Sequence, residues 1–384
     1  MTTDRIKLAV AGVRKSFRMR GLAITWSAQW IGCGVGALLT RTGYGPLRGR
    51  RDEMAKIVFG MAVPHSGMLG QAPEDWLTNG DRDRKNPELW FRNRTWTYPE
   101  LEAHREAAFE PFLTLEERTQ RFQRCRAALD EMAAAYARAD VDVAIILGKD
   151  QKEIWPDQSP SITIYTGEEV HNGPPQRPVY APDHHVVHKA HPELATYLIK
   201  AFQKEGFDLN DLMAWPQNVW MERQRGYAPD YPVVPHAYSF VYHQIMGDNP
   251  PPHVPILFNL FYPPTQPSMR RCIEFGRVLR DAIEAWPEDV RVAVIASGGL
   301  SHFVNDEEFD RDVMGKLAAY DYEGLAAIPD GYYQSGTSEV KIYSIVMMAL
   351  QHTGTQMTLV DYIPCWRTAA GTGEGMGFMY WNAA

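Results

Sequence analysis

The sequence predicts an α/β fold: a single domain with a central mixed or parallel sheet flanked by helices. Short β-rich runs alternate with amphipathic helical stretches along most of the chain. No internal repeat or linker-like tract interrupts that alternation between residues 54 and 384. Polar, histidine-bearing loops follow several of the strand-like runs. In sheets of this class, function gathers beyond the carboxyl ends of strands.

Residues 1–53 stand apart. The first 51 residues hold ten Lys/Arg and one acid, whereas 52–384 hold 29 basic and 46 acidic residues. Arg14, Lys15, Arg18 and Arg20 precede an apolar stretch, Leu22 to Leu39, which Ser27, Gln29 and several glycines interrupt. A signal or transit peptide fits the positive start. A membrane anchor fits less well, because about 18 residues is marginal for a bilayer. An extension outside the fold is the preferred reading, so the fold is read from Met54.

Lys56–Val63 reads as a first strand, closed by Pro64-His65-Ser66-Gly67. Residues 70–112 are aromatic, polar and Pro-containing, which predicts a long loop or short helices and a candidate cover for a site. Leu113–Asp140 is a helix: Thr114 caps it, Glu116 and Glu117 sit in its first turn, and Phe122, Cys125, Leu129, Met132, Ala133 and Tyr136 recur at helical spacing. Val141–Leu147 is a buried-type strand running into the turn Gly148-Lys149-Asp150-Gln151. Ser161–Tyr165 is a short strand. His191–Lys204 is a helix that stops at Gly206. Pro255–Leu260 is a strand and Met269–Ala285 an amphipathic helix. Val290–Ala296 is the most strand-like run and ends at Ser297-Gly298-Gly299-Leu300-Ser301-His302. Two helices follow within 306–328, another spans Glu339–His352, and Met357–Tyr362 closes the pattern.

Composition narrows the function. The chain has 384 residues, is 45% hydrophobic and carries a net charge of −8, which excludes a disordered chain. The body is acidic, which argues against nucleic-acid binding. Cys33, Cys125, Cys272 and Cys365 form no CxxC pair, so neither a disulfide scaffold nor a thiolate metal site is expected, and a cytoplasmic home is the default. No stable membrane association is expected of the body.

His65 follows a strand end and a proline. His302 follows two glycines, which let backbone approach closely. Neither lies in a Gly-x-Ser-x-Gly elbow. Glu339 sits at a helix start, where a carboxylate is favourable. His184, His185 and His188 cluster between Pro182 and Pro192 and read as a surface loop. Gly371–Gly377 resembles a phosphate loop only loosely, with no βαβ unit after it. Together, His65, His302, Glu339 and His236 suggest a mononuclear metal site, in which imidazole and carboxylate leave open positions for oxygen chemistry.

These residues, with His191-Pro192-Glu193, Pro255–Asn259, Arg271-Cys272 and Gly336–Glu339, resemble the class III extradiol ring-cleavage dioxygenases, a family typified by the β subunit of protocatechuate 4,5-dioxygenase. The resemblance covers 54–384, which it implies is one catalytic domain. It implies a non-haem Fe(II) enzyme that opens a catechol-type ring with O₂. His65 and Glu339 are then metal ligands, His302 the catalytic acid/base and His236 a further pocket residue. The family's second histidine ligand falls at Gln151. An amide oxygen there is a weaker candidate ligand, and Glu153 or a histidine of 184–188 is an alternative. Other readings are a metal-dependent hydrolase on the same fold and a non-catalytic relative with an altered metal site. A homodimer or a small capping subunit is the expected partner.

Overall fold

The computed structural model describes residues 54–174, 178–218 and 229–383. The basic segment 1–53, expected to lie outside the fold, is outside the described residues. The fold is built on nine strands, numbered here along the chain: β1 Lys56–Val63, β2 Val143–Gly148, β3 Ile162–Tyr165, β4 Asn210–Leu212, β5 His253–Phe258, β6 Arg291–Ser297, β7 His302–Val304, β8 Met357–Trp366 and β9 Thr372–Asn382. They form one mixed sheet in the order β7-β9-β1-β6-β2-β5-β3-β4, with β8 also paired to β9. Four central strands, β1, β6, β2 and β5, run parallel. Their carboxyl ends therefore open on the same side of the sheet. Residues 65, 149, 259 and 298 lie just past those ends.

The central strands are apolar on both faces, as parallel strands covered on both sides must be. Ile145, Leu147, Ile256 and Val294 pack against helices α2 (Pro192–Lys204), α3 (Met269–Glu284) and α4 (Val340–Leu350). Phe59, Met61, Ile146 and Ile295 face the opposite layer, which contains α1 (Leu115–Arg138). Thr114 caps α1 by accepting the Glu117 N–H, as its spacing predicted. The 70–112 stretch supplies two short helices, Trp76–Asp83 and Tyr98–His104, and a small hairpin. Its Arg92 forks onto Asp306 at 2.7 and 2.9 Å, just past β7. Among the described residues, no helix is long and apolar enough to cross a membrane.

The largest departure from expectation is β9. Its Thr-Gly-Glu-Gly-Met-Gly start reads as a loop, yet it is an eleven-residue strand. Alternate glycines give it one bare face. A Cβ at Gly375 would lie 2.2 Å from Asp310 Oδ2, and one at Gly377 would lie 2.6 Å from Leu300 Cδ1. Neighbouring side chains occupy the space that a β-residue would normally fill.

Candidate active site

The loops past β1, β2 and β6 converge on Glu339, the residue before α4. The glycines of the 297–302 turn permit this approach: a Cβ at Gly298 would lie 2.7 Å from the Glu339 Cβ. The Gly299 N–H donates to Glu339 Oε2 at 2.5 Å. His65 Nε2 lies 3.3 Å from Oε1, and His302 Nε2 lies 3.5 Å from Oε2. All three side chains are buried.

Hydrogen bonds at Nδ1 hold both imidazoles in place. The Ser297 hydroxyl donates to the Ala237 carbonyl at 2.6 Å, and its oxygen lies 3.0 Å from His65 Nδ1. His302 Nδ1 lies 2.8 Å from the Leu300 carbonyl, which can only accept. His302 Nδ1 therefore carries a proton, and the Nε2 side of each ring is turned toward the carboxylate. Burial pushes His302 down to about 4, against the opposing pull of Glu339, and lowers His65 in the same way.

A residue without an expected role completes the cluster. Lys149 follows β2 directly and places Nζ 2.5 Å from Glu339 Oε1, with both side chains 1% exposed. Burial alone would raise the Glu339 carboxyl. The Lys149 ammonium, with help from His65 and His302, outweighs it and holds the group well below the usual carboxylate range. The only sequence signal for Lys149 is its position at the end of a fully apolar strand, because a lysine in a polar turn otherwise reads as solvated.

His236 stands beside this group. Its ring meets His65 edge-on, with centroids 4.6 Å apart, and Tyr180 lies 5.2 Å away on another side. Glu153 orients it, accepting the His236 backbone N–H at 2.9 Å and pairing with Nδ1. Asp150 builds the turn that delivers Glu153, accepting the N–H groups of Glu153, Ile154 and Trp155 at 2.8, 3.0 and 3.3 Å. Gln151 is half-buried and makes none of the contacts that gather at Glu339.

The histidines of 184–188 lie elsewhere. His184 is exposed beside Asp183, His185 stacks on Tyr231 at 3.7 Å, and His188 packs against Tyr242. Glu374 of β9 is a further acid that the sequence did not single out. A Cβ on Gly299 would lie 2.5 Å from its Oε1, and burial pushes its carboxyl up to about 7.

The fit of this donor set to a divalent metal is poor. Among the described residues, no group of three or more His, Cys, Asp or Glu side chains is arranged to hold a metal ion. Glu339 Oε1 is already paired with an ammonium, and the amide at 151 replaces an imidazole.

Gly336 is the tightest point of the site, since a Cβ there would lie 1.9 Å from His302 Cδ2. Gly336→Ala is expected to cost about 1–3 kcal/mol in chemical denaturation, as overpacking does. It should also turn the His302 ring away from Glu339 in a crystal structure of the variant. A loss below about 0.5 kcal/mol, the size of an ordinary surface change, would show that the ring is not clamped there.

Residues 111–354 match a family model described as the catalytic LigB subunit of aromatic ring-opening dioxygenase. That span includes Lys149, Gln151, His236, His302 and Glu339; His65 precedes it. A 41-residue stretch is 54% identical to gallate dioxygenase of Pseudomonas putida, covering 11% of this chain and 12% of that protein.

Proposed function

The chain belongs to the family of catalytic LigB subunits of aromatic ring-opening dioxygenases, and from that premise we propose that it binds an aromatic ring carrying adjacent hydroxyls. The binding unit in this reading is 54–384. One observation carries it: the Nε2 atoms of His65 and His302 flank the two oxygens of the buried Glu339 carboxylate, and the ring of His236, itself against Tyr180, stands beside His65. His302 Nε2 is the acceptor for a ring hydroxyl proton. The Lys149 ammonium steadies the oxygen left negative. His236, held by Glu153, lines the ring.

A second reading is Fe(II)-dependent extradiol cleavage with O₂, and the similarity to gallate dioxygenase favours it. His65 and Glu339 are its ligands, with Gln151 as the third. It requires Lys149 to leave Glu339.

Titration of the full chain with catechol, protocatechuate and gallate, followed by calorimetry, tests the first reading. Saturable binding of at least one diol is expected, weakened about tenfold or more by His302→Ala. This corresponds to the loss of one hydrogen bond of about 1.4 kcal/mol. Failure of all three to bind would overturn it. Oxygen uptake and a yellow ring-opened product after anaerobic Fe(II) loading would select the second reading instead.

A further inference from the structure

We infer that the Lys149 ammonium is the resident cation of this centre and occupies the role that a divalent metal holds in the family frame. The Glu339 carboxylate is buried, with His65 Nε2 3.3 Å from Oε1 and His302 Nε2 3.5 Å from Oε2. A buried arrangement of that kind requires a positive charge. Lys149 supplies it from the end of β2 as an ion pair at 2.5 Å, with both partners 1% exposed. Its Nζ also lies 5.2 Å from the Phe261 ring centroid, where the π face favours a cation.

The other acids of the same turn have separate tasks. Asp150 holds three backbone N–H groups, and Glu153 is bonded to His236. Neither is free to serve as the third ligand that Gln151 fails to supply. The pair of Glu339 and Lys149 is neutral. A divalent ion added beside the ammonium would meet a like charge in a buried site, where charges are poorly screened. One turn after one strand therefore holds both the buried cation, Lys149, and, two residues on, the amide of Gln151.

The inference concerns the same site as the proposed function but does not depend on ring binding. Calorimetry with the diols can fail while the metal measurements below stand, and the reverse also holds.

The test uses the full chain and Co(II) as probe. Protein is incubated anaerobically with excess Co(II) and desalted, and bound metal is counted by elemental analysis and by visible ligand-field bands. Wild type should retain less than about 0.1 Co(II) per chain. Lys149→Met with Gln151→His should retain close to one per chain, with affinity at least about a hundredfold above wild type, the scale expected from removing a like charge a few ångströms away. Lys149→Arg, which keeps the charge, should remain empty. One tightly held Co(II) per wild-type chain would overturn the inference. So would a folded double variant that takes up no more metal than wild type, because the ammonium would then not be standing in a cation's place. Should the double variant fail to fold, the wild-type and Lys149→Arg measurements still decide the question.

Discussion

Glu339→Ala is expected to destabilise the protein by about 3–5 kcal/mol, the cost of leaving one member of a buried ion pair alone. The charge left behind is the Lys149 ammonium, 1% exposed and 2.5 Å from the deleted oxygen. The Gly299 N–H loses its acceptor in the same step. Urea denaturation at pH 7 measures the loss. The decisive variant is the double one. Lys149→Met in the Glu339→Ala background removes the stranded charge, so the pair of changes should cost less than the sum of the single ones. A coupling of at least about 1.5 kcal/mol is expected for residues in direct contact. Additive losses would mean that the ammonium finds solvent when Glu339 is absent. The site would then be built on something other than this pair.

Lys149 also shows where sequence reading stops. His65, His302 and Glu339 were legible because local signals mark them: a strand end, a double glycine and a helix start. Each sits where the pattern placed it, and the helices around them follow their apolar spacing to within a residue or two at most ends. The burial of Lys149 has no local cause. It arises because α4, far along the chain, brings a carboxylate to the end of β2, and only the sheet order makes that meeting visible. The link between Glu153 and His236 is hidden for the same reason. β9 was missed on different grounds. Glycine is a poor strand former by itself, and its use here depends on Leu300 and Asp310 filling the bare face. Patterns within one element were readable; contacts between elements distant in sequence were not.

Asp310 is a second group of this hidden kind, and its removal should be nearly as costly. It reaches across to the 297–302 turn and accepts the Ser301 N–H at 2.8 Å, the Ser301 hydroxyl at 2.7 Å and the Tyr362 hydroxyl at 2.7 Å. Asp310→Ala leaves three buried donors without that acceptor. At about 1–3 kcal/mol for each stranded group, a total loss of at least about 3 kcal/mol is expected in the same denaturation assay. The damage should also reach the site, because Ser301 is the residue before His302. The group has a pH signature as well. Burial pushes its carboxyl up to about 7, against the pull of the three donors. The folded chain therefore holds this proton at a pH where the unfolded chain, with an ordinary carboxyl near about 3.9, has released it. The contribution is fully present below the unfolded value and is lost as pH rises through about 7. Asp310→Asn cannot ionise, so its stability should change less between pH 6 and pH 8 than that of wild type. An unchanged wild-type slope in Asp310→Asn would mean that the carboxyl ionises normally in the fold. The three donors would then have won over burial.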